Sequence, residues 1–151
     1  MEQRERLNIV IIGCGEIAIQ KHAPAILGCK KLRLYGCYNR TKTRAEAFSE
    51  AFGGKVYESL EEIWTDPKVD AVDICTLVES HCAIACAAMQ AGKDVLCEKP
   101  MTADIEQARQ MVKYSEKYQR KLMIYLNQRL YPAHQRAKQL LDEGAIGNII
   151  N

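Results

Sequence analysis

The sequence is short of most features that mark a specialised protein. No apolar run approaches the ~20 residues needed to span a bilayer. Lys and Arg number 21 against 19 Asp and Glu, a formal charge of +2. That excess is too small to argue for nucleic acid or an acidic membrane surface as partner. Residues 1–6 carry no apolar stretch behind a basic start, so they do not read as a signal peptide. The expected location is the cytoplasm. There are no repeats, no low-complexity stretches and no linker-like segment. Metal-binding spacing is missing too: the seven cysteines are odd in number and include no Cys-x-x-Cys pair. Cys82 and Cys86 share a helical face at i, i+4, but no His or acidic residue at matching spacing completes a ligand set, so no metal is expected. Most of the cysteines lie in apolar runs, where reduced Cys acts as a small hydrophobe.

What is present is an ordinary soluble-domain composition, 48% apolar and 26% charged, in a 151-residue chain able to bury one substantial core. Strand and helix patterns alternate. Buried or alternating β-rich runs at Leu7–Ile12, Lys31–Tyr38, Lys55–Tyr57, Ala71–Thr76, Asp94–Cys97 and Lys121–Leu126 predict strands. Helical periodicity predicts helices over Ile17–Leu27, Thr41–Phe52, Ser59–Trp64, Ser80–Ala91, Thr102–Lys117 and Pro132–Glu143. Thr41, Ser59 (with Glu62 three residues on) and Thr102 are the expected N-caps, and Gly28 the expected C-cap of the first helix. Such alternation implies right-handed βαβ crossovers and a mostly parallel sheet covered on both faces, a doubly wound α/β domain of Rossmann type.

In that fold ligands bind at the carboxyl ends of the strands, and four segments there carry chemistry. Gly13-Cys14-Gly15-Glu16-Ile17-Ala18 follows a buried strand directly and opens a helix, the context that gives a Gly-x-Gly-x-x-Ala pattern meaning. Gly13 permits the tight turn and Gly15 lets the backbone approach a pyrophosphate. Ala18 keeps the helix close to the strand, and the N–H groups of the first turn face the anion. After the second strand, where an acidic residue would bond an adenosine 2′-OH, the chain has Asn39 and Arg40, with Arg44 one helical turn on. A neutral side chain followed by positive charge leaves room for a 2′-phosphate and favours NADP(H) over NAD(H). Thr76 ends the fourth strand, and His81 falls in the first turn of the next helix, where its ring either points into the cleft or caps the helix. Glu98-Lys99-Pro100 follows the fifth strand: an acid and a base at the ligand edge, before a proline that stiffens the turn. A lysine held there can donate to a sugar hydroxyl or polarise a carbonyl.

These segments, with Ala91–Pro100, Asp66–Ile74 and the stretch from Asn127 and Arg129 to Pro132, resemble the N-terminal half of the Gfo/Idh/MocA oxidoreductases. The resemblance runs from about Leu7 to the last residue. It implies that Gly13, Cys14, Gly15, Glu16 and Ile17 cradle the pyrophosphate and that Asn39 and Arg40 face the adenosine ribose. It places Thr76 and His81 along the cofactor cleft, Glu98 near the nicotinamide ribose, Lys99 between nicotinamide and substrate as the catalytic residue, and Asn127 near the nicotinamide. Where the family often has Thr-Pro-Asn, this chain has Thr76-Leu77-Val78. Residues 144–151 look like the family's entry into a second, substrate-binding domain, with Ile149 and Ile150 beginning its first strand. That reading divides the chain into an NAD(P)-binding domain over 1–126 and a connecting helix and domain start over 127–151. The expected parent is an NAD(P)-dependent dehydrogenase or reductase acting on a sugar, polyol or similar small metabolite; the fragment alone would turn over little. The rival reading is a stand-alone NAD(P)H-binding sensor. A homo-oligomer is open, because the family's second domain commonly forms the subunit interface.

Overall fold

The structure is a computed structural model that describes residues 6–147. The expected strand at Ile149 and Ile150 and the first five residues lie outside them. Strands β1 (Leu7–Ile12), β2 (Leu32–Tyr38), β3 (Lys55–Val56), β4 (Ala71–Ile74), β5 (Asp94–Cys97) and β6 (Leu122–Ile124) form one sheet in the order β3-β2-β1-β4-β5-β6. Every pairing is parallel. The order reverses at β1, so a crevice opens between the loops that follow β1, β2 and β4.

Alternation along β1 divides the core. Ile9 and Ile11 point to one face, where they pack with Leu34, Cys37, Ile26, Ala45 and Phe48. Val10 and Ile12 point to the other, against Val72, Ile74, Ala85, Met89 and Met111. Helices α1 (Ala23–Gly28) and α2 (Lys42–Phe52) cover the first face. Helices α3 (Leu60–Thr65), α4 (His81–Gln90) and α5 (Ile105–Tyr118) cover the second, and α6 (Pro132–Asp142) follows β6. Ile9, Val10, Ile11 and Ile12 are each at most 8% exposed, as a central strand covered on both sides requires.

Three local expectations change. The first helix is not one α-helix from Ile17 to Leu27: a π-turn over Ala18–His22 leads into α1. Pro24 has no N–H for the carbonyl four residues back and its ring crowds that carbonyl. The widened turn answers this, with Ala23 N–H donating to Ala18 O. Gly28 is the last helical residue, and Cys29 takes the cap position in extended backbone. On α5 the cap is Asp104, not Thr102. Its carboxylate accepts from Glu106 N–H (2.6 Å) and Gln107 N–H (3.2 Å), while the Thr102 hydroxyl donates to Asp104 O. An anion at a helix N-terminus outcompetes a hydroxyl. Ser59 caps α3 as expected, accepting from Glu62 N–H at 3.2 Å. Among the described residues, no helix is long and apolar enough to cross a membrane.

Candidate functional site

The loops at the carboxyl ends of β1, β2 and β4 enclose a cleft of about 640 Å³, lined by Gly13, Gly15, Glu16, Ile17, Asn39, Arg40, Arg44 and Thr76 among others. The glycine loop is shaped from beneath. Gly13 has φ +100°, and a Cβ there would lie 2.8 Å from the carbonyl carbon and oxygen of Cys75. Only glycine lets β1 and β4 run this close at their ends. Gly15 is the opposite case. It has ordinary φ, and a Cβ would meet nothing within 4 Å. A side chain there projects into open space on the lining of the cleft.

The turn is locked from the side by Asn39, whose Oδ1 accepts from Cys14 N–H at 3.1 Å while Nδ2 donates to Thr41 O at 3.0 Å. Cys14 is 3% exposed, and its thiol packs into the core below the loop, so it does not line the cleft. The N–H groups of Gly15, Glu16 and Ile17 begin the helix, where a first turn has no intrahelical acceptors. They belong to residues that line the cleft. The exposed Glu16 carboxylate accepts from Gln20 Nε2 at 2.7 Å. Arg40 and Arg44 are exposed at the cleft wall formed after β2.

Thr76 lines the cleft, its hydroxyl 2.8 Å from Ser80 Oγ. His81 neither points into the cleft nor caps its helix: it is 1% exposed. Its ring nitrogens lie 3.0 and 3.1 Å from the carbonyl oxygens of Pro100 and Thr76, tying the loop after β5 to the loop after β4. As the first residue of α4, its Cβ tilts back toward the helix N-terminus and carries the ring beneath these loops.

Glu98 and Lys99 part company after β5. Lys99 is exposed and its side chain makes no polar contact among the described residues. Glu98 is 6% exposed and reaches inward. Its Oε1 stands 2.8 Å from His22 Nε2, and its Oε2 accepts from Lys99 N–H at 2.9 Å. The second ring nitrogen of His22, Nδ1, lies 2.7 Å from Asp73 Oδ2. All three side chains are nearly sealed from solvent, and the Tyr125 ring packs at 4.8 Å from the imidazole. Burial alone pulls the His22 pKa down, but the hydrogen bonds and charges of Asp73 and Glu98 outweigh it and raise the pKa above its ordinary 6.5. The Lys99–Pro100 peptide is cis.

His22 and Asp73 escaped the sequence reading. The available signal was Asp73 itself, a carboxylate inside the buried run Ala71–Ile74, which demands a partner. His22, Asp73 and Cys75 also have the side-chain spacing of a metal site. Both imidazole nitrogens, however, already face carboxylate oxygens at 2.7 and 2.8 Å, hydrogen-bond contacts with no room for an ion between the paired atoms. Asn127 stands apart, in the turn after β6, with Nδ2 donating to Tyr131 OH at 3.1 Å.

Residues 7–126 match the family described as "Oxidoreductase family, NAD-binding Rossmann fold", GFO_IDH_MocA. The chain is 32% identical over 139 residues to inositol 2-dehydrogenase of Rhizobium meliloti, with 92% of this chain and 42% of that protein aligned. It is 32% identical over 145 residues to a dTDP-3,4-didehydro-2,6-dideoxy-alpha-D-glucose 3-reductase of Actinomadura kijaniata, with 95% and 43% aligned. Among solved structures it resembles a 3-ketoreductase from Actinomadura kijaniata in complex with NADP (TM-score 0.88, 31% identity, 95% of this chain and 46% of that one). It also resembles a putative myo-inositol dehydrogenase from Sinorhizobium meliloti 1021 (TM-score 0.84, 31% identity, 93% and 42%). The chain spans less than half the length of these relatives.

Proposed function

The chain belongs to the Gfo/Idh/MocA oxidoreductase family, as its match over residues 7–126 shows, and on that premise we propose that it is the dinucleotide-binding part of an NAD(P)-dependent enzyme. That enzyme moves a hydride to or from a hydroxyl- or carbonyl-bearing carbon of a sugar, polyol or similar small metabolite. Residues 1–126 form the binding domain in this reading, and residues 127–151 lead into a substrate domain, in keeping with relatives more than twice as long.

The observation that carries the proposal is the convergence of the glycine loop, Asn39, Arg40 and Thr76 on one cleft at the reversal of strand order. The residues present suit a dinucleotide. The open space at Gly15 admits a pyrophosphate against the backbone, and the first-turn N–H groups offer it donors. When bound, the nicotinamide supplies the hydride acceptor or donor. The chain's own residues bind and orient. Asn39 spends its amide on the turn and brings no carboxylate to the ribose end, while Arg40 and Arg44 bring positive charge. We therefore favour NADP(H), with the NADP complex of the related 3-ketoreductase in support. The exposed Lys99 ammonium donates a hydrogen bond to the substrate oxygen and assists the proton's movement.

Fluorescence titration of the chain with NADPH and NADH tests this reading. Saturable binding, tighter for NADPH, is expected. No saturable response to either would overturn the dinucleotide assignment, and tighter NADH binding would overturn the preference.

A further inference from the structure

The buried cluster beneath the cleft edge has a geometry that bare packing does not require. Two carboxylates, Asp73 from β4 and Glu98 from the end of β5, face one imidazole from opposite sides at 2.7 and 2.8 Å. Two buried anions without a cation are costly. A neutral imidazole has one N–H and would aim its lone pair at the other carboxylate. An imidazolium satisfies both with charge-assisted bonds of ordinary length. The remaining oxygens are also placed: Cys75 Sγ lies 3.7 Å from Asp73 Oδ1, and Glu98 Oε2 receives Lys99 N–H. Tyr125, from the end of β6, covers the ring.

His22 closes the π-turn that begins three residues after Gly15. One continuous helical segment therefore offers its first-turn N–H groups to the cleft and, a turn later, grips the acid that precedes Lys99. The widened turn sets this grip, and such turns recur at functional sites.

We propose that His22, clamped between Asp73 and Glu98, is a positioning residue: it holds Glu98 so that the second carboxylate oxygen fixes the Lys99 backbone at the edge of the dinucleotide cleft. Glu98 in turn is part of the clamp. The proposal rests on the reading of Lys99 as the group that meets the substrate. It adds the machinery that aims it, coupling the phosphate-binding helix to the loop after β5.

Two measurements on the chain test it. The first is amide hydrogen exchange at Lys99. In His22→Gln the Lys99 N–H should exchange about tenfold faster beyond any rise shared with the Ile11 and Val72 amides, which report global opening, on the scale of one charge-assisted hydrogen bond. Unchanged Lys99 protection in a folded variant overturns the clamp. Should His22→Gln fail to fold, Asp73→Asn keeps the shape, removes one charge and carries the same comparison, with a smaller expected rise.

The second follows the side-chain resonance of Lys99 in isotope-labelled protein during NADPH titration. The wild-type resonance should shift on binding. In His22→Gln the shift should fall by more than half, while NADPH affinity stays within about threefold, the scatter expected of a residue outside the cleft. A full shift in the variant overturns the positioning role. If wild-type Lys99 does not respond to NADPH, the functional reading of Lys99 falls, and the exchange comparison still decides the clamp.

Discussion

Gly13 lies directly over the carbonyl of Cys75, so close that a Cβ would stand 2.8 Å from that carbonyl's carbon and oxygen. The obstruction is backbone, which cannot swing aside, and φ of +100° penalises any side chain. Gly13→Ala is therefore expected to cost at least about 2 kcal/mol and to lower Tm by roughly 4–8 °C. Gly15→Val adds bulk only to the cleft. Its Tm should stay within about 2 °C of wild type while NADPH affinity falls more than about tenfold. Thermal unfolding beside NADPH titration separates the two glycines. Equal losses of Tm in both variants would refute the division.

Asn39 and Arg40 make a paired test of the cofactor end. Arg40→Ala removes an exposed guanidinium at the cleft wall and should weaken NADPH by about 10–100-fold, with NADH within about threefold, on the scale of a charge-assisted phosphate contact. Asn39→Asp keeps an acceptor for Cys14 N–H and loses the donor to Thr41 O. It also places a carboxylate where a ribose 2′-OH would bond, so preference should move toward NADH. Titration of both variants with both dinucleotides checks this, and equal losses for NADPH and NADH would remove the 2′-phosphate assignment.

In any enzyme that contains this chain, Lys99→Ala should lower kcat by at least about a hundredfold, within the range of a lost proton-transfer partner. NADPH affinity should change by less than about threefold, because Lys99 is absent from the cleft lining. Steady-state kinetics with binding titration would show it. An unaltered kcat would return Lys99 to the solvated surface.

Much of this was legible in the chain. The six strands follow from β-rich runs closed by turn residues, and the glycine loop from its place between a buried strand and a helix. The details that escaped are contacts made across the fold. Nothing local to His22 says that Asp73, 51 residues on, and Glu98, 76 residues on, will meet its ring. His81 likewise presents two readings in sequence, and only the meeting of the loops after β4 and β5 decides for a third, a buried tie between carbonyls. Thr102 and Asp104 are both plausible caps by residue type; the choice follows from where Glu106 and Gln107 N–H groups point.

The reading of the cysteines as small hydrophobes has a direct check. Six of the seven are buried and Cys29 is half-buried. Burial pushes the thiols of Cys86 and Cys97 up to about 12. A chromogenic disulfide reagent near neutral pH should react rapidly with Cys29 and more than about a hundredfold more slowly with the six buried thiols, which it cannot reach in the folded chain. All seven should react after denaturation. Two fast thiols in the native protein would contradict the packing of this core.

The last expectation concerns the pH dependence of stability, because His22 gains two anionic partners on folding. Burial opposes its charge, yet Asp73 and Glu98 prevail, so the folded-state pKa lies above the ordinary 6.5. A raised pKa means that the folded state holds its proton more tightly than the unfolded chain does. The clamp's contribution is then complete below about pH 6.5, the unfolded value for histidine, and is lost as pH rises through the folded value. Urea unfolding of wild type and His22→Gln across pH 5.5 to 9 isolates this from other titrating groups. The stability gap between them should be widest at the acid end and narrow with rising pH. A gap that is constant, or that widens toward alkaline pH, would show that the ring is neutral between its two carboxylates and that the charge balance of the clamp is wrong.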